Sequence, residues 1–210
     1  TATNATKEVM ALFSGVKEFS TPKPTELIKE LLTIGANKNA VILDFFAGSS
    51  TTADAVMQLN AEDGGNRQYI MCTLPEPTFT VNSDGKEIPT KGGDTAYNAG
   101  YKSIDEISRE RIRRAANKIK EDNPLLTETQ DFGFKHYRVV PPTQETMEKI
   151  DYDDQLQFDL VDDMIDAFSS EKLGVAGNSD GFNTILHTYL AKDNYKFDVS
   201  LQMIDFAGVQ

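Results

Sequence analysis

The sequence predicts an α/β fold built on a parallel sheet. Three observations carry that reading. The run 40-AVILDFF-46 is apolar almost throughout, as in a strand buried on both faces. A turn of small residues, 47-AGSS-50, leads into 51-TTADAVMQLNA-61, which reads as a helix. A second apolar run, 67-RQYIMCTL-74, follows the turn EDGGN. Strand, helix and strand within about 35 residues make a βαβ unit, whose crossover is right-handed.

The flanking elements follow in order. Residues 1–19 are polar and mixed, and read as a tail or the end of a preceding region. In 21-TPKPTELIKELLTIG-35, Thr21 or Thr25 is placed to cap a helix, and Pro22 or Pro24 suits its first turn. Leu27, Ile28, Leu31 and Leu32 give that helix one apolar face. Residues 75–100 are rich in Pro, Gly, Asn, Asp and Thr, and form a long loop or a hairpin around Ser83-Asp84-Gly85. Helical spacing returns over 104–122, and strand-like alternation over 132–140. Pro141-Pro142 is the best candidate boundary. Beyond it come an acidic amphipathic helix over 154–168, an apolar stretch over 182–191 and a strand over 195–206. The organisation predicted is thus a tail (1–19), a ligand-binding α/β domain (20–140) and a small α+β module (141–210).

Composition narrows the function classes. The chain has 210 residues, 39% hydrophobic and 26% charged, which is ordinary for a globular protein. No run approaches the ~18 apolar residues of a membrane span, so no membrane partner is expected. The lone Cys72 cannot form an internal disulfide, and a reducing cytoplasm is the default. No zinc-type spacing exists, and no metal is expected. The net charge of −12 argues against nucleic-acid binding by the chain as a whole. The charge is uneven, however. Arg109, Arg111, Arg113, Arg114, Lys118 and Lys120 cluster together, whereas residues 151–171 carry eight acids and no base. Any DNA is therefore expected near the first domain. The six basic residues surround their helix rather than forming one stripe, so they read first as a solvated face. Cys72 reads as a small core residue, and His136 and His187 have no ligand-like partner in sequence.

The turn between the first strand and its helix is the candidate site. A helix N-terminus offers unpaired N–H groups and partial positive charge, so a phosphate or a carboxylate fits there. The phosphate loop G-x-x-x-x-G-K-[ST] fails because no lysine follows. The dinucleotide fingerprint G-x-G-x-x-G fails because Gly48 stands alone. A carboxylate-bearing ligand survives better than either, beside the plain alternative of a tight turn that holds nothing.

The run Asp44-Phe45-Phe46-Ala47-Gly48-Ser49-Ser50-Thr51-Thr52 resembles the D-x-F-x-G-S-G-T-T signature of amino-group DNA methyltransferases. More narrowly, it resembles the adenine-specific (N6) modification subunits of type III restriction systems, of the permuted β type. The segment 19-FSTPKPTELIKELL-32 is similar to the family's F-x-x-KP-x-x-L-I element. NAEDGGNRQYIMCTLPEP and ISRERIRRA are similar to the elements that follow the signature, so four elements stand in family order over residues 19–116.

The resemblance implies a Rossmann-like methyltransferase fold and S-adenosylmethionine as cofactor. It implies that the loop amides with Thr51 and Thr52 hold the cofactor carboxylate. Thr21, Lys23 and Pro24 would close over the same end, and Asp44 would orient the loop or engage the amine side. It further implies double-stranded DNA as substrate of the full-length protein, a restriction subunit as partner, and a possible homodimer. Two departures stand out. The last signature glycine is Ser50, in a position where φ > 0 favours glycine. The ribose-binding acid is displaced: the shorter family pattern puts it at Thr73, whereas this chain has Glu76 in L-P-E. The base-binding motif [DN]-P-P-[YFW] is absent, since Pro141-Pro142 lies between Val140 and Thr143. No catalytic residue is therefore assigned. The chain reads as the C-terminal, cofactor-binding part of a longer modification subunit, inactive alone. The alternative is an assembly or dimerisation module with a vestigial cofactor loop.

Overall fold

A computed structural model describes residues 2–15, 21–141, 144, 164–175, 177–196 and 198–204. The chain divides into two compact units, Thr1–Phe132 and Gly133–Gln210.

The first unit mixes helices with a small parallel sheet. The helices are α1 (Ala2–Leu12), α2 (Thr25–Gly35), α3 (Thr51–Asp63), α4 (Asp94–Asn98) and α5 (Ile104–Asp122). The strands are β1 (Val41–Asp44), β2 (Gln68–Met71), β3 (Phe79–Val81) and β4 (Glu87–Pro89). β1 and β2 pair in parallel, Val41 opposite Gln68 and Asp44 opposite Met71, with α3 as the crossover. The βαβ unit is therefore present. The hairpin reading of residues 75–100 also holds: β3 and β4 are antiparallel, and the Asn82 side chain accepts the N–H groups of Asp84 and Lys86 to form the turn.

α3 is the central helix. Ala53, Ala55, Val56, Met57 and Leu59 are all buried. α2 and α5 pack against it, and it packs on β2. α5 buries Ile107, Ile112, Ala115, Ala116 and Ile119 on one stripe. The turn after α3 is held tightly. Gly64 caps the helix at φ 68°, and a Cβ at Gly65 would lie 2.5 Å from the Arg67 guanidinium. Arg67 donates from both terminal nitrogens to Asp63. Those bonds and the Gly65 N–H hold the Asp63 carboxyl below its ordinary value of 3.8, against an opposing effect of burial. Such a group contributes stability fully above its unfolded value and loses it as pH falls through the folded one. Asp63→Asn is accordingly expected to flatten the loss of stability seen in denaturant titrations below about pH 4. An unchanged acid limb would refute that role.

Several sequence expectations are revised. Residues read as a tail form α1, whose Val9, with Phe13 just beyond the helix, joins Ala96 and Ile107 in a core cluster. The polar composition hid a narrow apolar edge. β1 is not buried on both faces: Val41 and Leu43 are 58% and 48% exposed, because the parallel sheet has two strands among the described residues. Leu27 and Leu31 of α2 are exposed, while Ile28 and Leu32 are half-buried. Neither Thr21 nor Thr25 caps α2; Pro24 occupies the N-cap position without a side-chain bond. Cys72 is exposed rather than core, one residue past the end of β2. No described residue over 132–140 or 195–204 is a strand: alternation without a partner forms no ladder.

In the second unit, α6 (Gly181–Lys192) starts at Asp180, whose carboxylate accepts the Asn183 N–H at 2.7 Å. Residues 154–163 of the expected acidic helix lie outside the described residues, and 164–166 are helical. No described helix is long and apolar enough to cross a membrane.

Candidate cofactor site

The loop over residues 45–50 sits at the carboxyl ends of both parallel strands. The Cys72 N–H donates to the Asp44 carbonyl at 2.8 Å, and the Ala47 N–H donates to the Cys72 carbonyl at 3.0 Å. The ladder thus runs into the loop and pins Ala47, which is buried. The chain then turns sharply. Gly48 has φ 52° and Ser50 has φ 57° and ψ 39°, both left-handed, before α3 begins at Thr51.

Asp44 closes the loop from the strand side. Its Oδ1 accepts the Phe46 N–H at 2.9 Å and its Oδ2 accepts the Thr52 hydroxyl at 2.6 Å. One carboxylate therefore joins the end of β1 to the start of α3.

The hydroxyls behave differently from expectation. Thr52 donates to Asp44, Ser49 and Thr51 accept from Arg111, and Ser50 bonds Ser108 of α5. All four are committed within the protein. Thr51 and Thr52 thus tie the loop to Arg111 and Asp44. Backbone amides there are left open. The N–H groups of Gly48, Ser49, Thr51 and Thr52 have no acceptor among the described residues. They stand at the N-terminus of a 13-residue helix, where an anion is favoured. The Phe45 and Phe46 rings beside them are 66% and 91% exposed.

Ser50 explains itself in three dimensions. The left-handed backbone costs a non-glycine residue about 1–2 kcal/mol. Its fully buried hydroxyl is paired with the buried Ser108 hydroxyl, which offsets that strain. Removing both partners together releases the strain without stranding a polar group. Ser50→Gly combined with Ser108→Ala is expected to stabilise the fold by about 0.5–1 kcal/mol after the entropy cost of glycine. Thermal melts decide it, and a clearly less stable double variant would contradict the account.

The remaining candidates surround this loop unequally. Thr21 and Lys23 are exposed and Pro24 is half-buried. Thr25, just after them, is buried, donating its N–H to Glu8 and accepting from Arg111. Thr73, half-buried, lies next to Cys72 and so at the same sheet edge as the loop. Glu76 is exposed, and its carbonyl accepts the Ile104 N–H at the start of α5.

Arg111 is placed differently from the sequence expectation. Arg111, read with its neighbours as solvated, is fully buried. Its guanidinium meets Asp54 Oδ2 from Nε at 3.2 Å and from Nη2 at 2.9 Å. It reaches Ser49 and Thr51 from Nη1 at 3.1 and 2.8 Å, and Thr25 from Nη2 at 3.1 Å. The signal was available: positions 107, 111, 115 and 119 recur at helical spacing, and three of the four are apolar.

Comparison with known proteins agrees with the geometry. Residues 2–76 match the model of the DNA methylase family. Over residues 2–76 the chain is a member of that family. It is 43% identical over 96% of its length to the Mod subunit of the type III restriction-modification enzyme StyLTI of Salmonella typhimurium, and covers 31% of that protein. It is 42% identical over 62% of its length to the EcoPI Mod subunit of Escherichia phage P1, covering 18% of that protein. The type II methyltransferase M.KpnI of Klebsiella pneumoniae is 32% identical over 65% of the chain, which covers 27% of it. The chain thus spans at most about a third of the length of these relatives.

Proposed function

We propose that this DNA methylase chain is the S-adenosylmethionine-binding part of an adenine-N6, site-specific DNA methyltransferase of a type III restriction-modification system. The observation that carries the reading is the strand-tip loop: four amides without acceptors among the described residues, beside the Asp44 carboxylate at the N-terminus of α3. These groups suit the aminoacid carboxylate of the cofactor. Gly48, Ser49, Thr51 and Thr52 would hold it through backbone N–H groups. Lys23 and Pro24 would close over it, and Thr73 or Glu76 would meet the ribose. The exposed Phe45 and Phe46 suit an apolar or aromatic ligand surface. When bound, the cofactor supplies an electrophilic sulfonium methyl group.

The contribution of this chain to catalysis is then positioning, with the reacting groups held in one geometry. Target-base binding requires a polar side chain and an aromatic ring around a flipped base. The sequence contains no [DN]-P-P-[YFW] motif, so the isolated chain is expected to be inactive. In this reading the whole protein acts in the cytoplasm on double-stranded DNA and works with a restriction subunit. The names of the type III relatives support that partner and the restriction context. Titration calorimetry of this chain with S-adenosylmethionine tests the core of the proposal, and its decisive variant opens the Discussion.

A second reading is favoured by the exposed apolar side chains Val41, Leu43, Phe45, Phe46 and Leu74 on or beside the parallel strands. It takes the chain as an assembly or dimerisation module whose loop is vestigial. Light scattering separates the two: a strictly monomeric chain that binds the cofactor counts against assembly.

A further inference from the structure

We propose that Arg111 is a positioning residue for the cofactor loop, clasping Ser49 and Thr51 to Thr25 so that the loop and the Lys23-Pro24 segment are held in one register. The inference rests on the reading of this loop as the S-adenosylmethionine site.

A guanidinium has five N–H donors in a rigid fork. All five of Arg111 are spent: two on Asp54, two on the loop hydroxyls and one on Thr25. The side chain is 0% exposed and Asp54 is 3% exposed, so the pair is fully desolvated. Asp54 is itself fixed, its Oδ1 accepting from Gln58 at 2.8 Å. A buried pair of this kind is weak evidence for stability, because desolvation offsets most of its Coulomb energy. Its distinctive product is geometry. The acceptors come from the loop, from the first turn of α3 and from the first turn of α2, and the donor comes from α5. Ser49 and Thr51 flank Ser50, whose strained backbone needs restraint from both sides. Thr25 directly follows Pro24, so the same group sets where Lys23 and Pro24 stand relative to the amides. A lysine offers one nitrogen and cannot span this set.

The variant that isolates the role replaces the whole pair by apolar residues of similar bulk, Arg111→Met with Asp54→Leu. Replacing a buried ion pair by apolar residues of similar volume is often neutral or stabilising. The expected result is an unfolding midpoint near that of the wild type with S-adenosylmethionine affinity reduced at least tenfold by calorimetry. The second readout needs no cofactor. Amide exchange at Ser50, whose N–H donates to Ala47, should accelerate at least tenfold, while Cys72 in the ladder is unchanged. Wild-type affinity together with wild-type exchange in the double variant would overturn the proposal. If the double variant does not fold, Thr51→Val removes the 2.8 Å contact alone and should shift both readouts in the same direction by smaller factors. No change in either would overturn it equally. Should the wild-type chain bind no cofactor while Ser50 exchange still accelerates in the variant, the cofactor reading fails and the clasp stands.

Discussion

Asp44→Ala is expected to abolish S-adenosylmethionine binding by this chain while leaving it folded. The carboxylate accepts two hydrogen bonds, one from the Phe46 amide and one from the Thr52 hydroxyl. Bonds to a charged acceptor are worth about 1.5–3 kcal/mol each, so losing both corresponds to a factor of about a hundred or more in affinity if the loop opens. The residue is only half-buried, and β1 keeps its ladder to β2, so circular dichroism should be unchanged. Asp44→Asn retains one acceptor oxygen and should fall between wild type and alanine. Calorimetry on the three chains is the check. Unchanged affinity in the alanine variant would remove the loop from the cofactor site and leave the family resemblance without its binding partner.

Phe13→Ala is expected to destabilise the first unit by about 3–5 kcal/mol, a large share of the ~5–15 kcal/mol that holds a domain together. Phe13 is 3% exposed and meets Tyr101 edge-on at 6.0 Å between ring centroids. The Arg114 guanidinium lies 4.6 Å from its centroid and donates to the Leu12 carbonyl, so the same side chain anchors the end of α1 twice. Truncation opens a cavity among Val9, Ala96 and Ile107. Leu125→Ala, at a site 87% exposed, serves as the control and should change little. Denaturant titration of both variants settles it. A Phe13→Ala midpoint no lower than the control would show that α1 does not contribute to this core.

Local pattern was enough for the βαβ unit, because apolar runs of strand length flank a helix of period 3.6 and the turn residues agree with both. It was also enough for the hairpin, where Asn82 and Gly85 are turn residues by their own chemistry. The loop signature named the left-handed turn, since Gly48 and the small residues around it are needed wherever a backbone must turn left-handed before a helix. Each of these depends on neighbours in the chain.

Long-range contact decided the rest. Ser50 looked like a defect in the signature until Ser108, 58 residues away, supplied its partner. Arg111 looked solvated because charge is ordinarily exposed, and only the meeting of α5 with Asp54, Ser49, Thr51 and Thr25 compensates its burial. The Thr51 and Thr52 hydroxyls, read as ligand groups, turn to Arg111 and Asp44. Composition hid α1, whose few apolar residues matter because Tyr101, Ile104 and Ile107 lie over them. The sequence by itself determined the class of fold, the family and the loop. Tertiary structure decided which polar groups are taken up within the protein, because a hydroxyl or a guanidinium takes its role from the partner that reaches it, and for Ser50 and Arg111 those partners lie dozens of residues away.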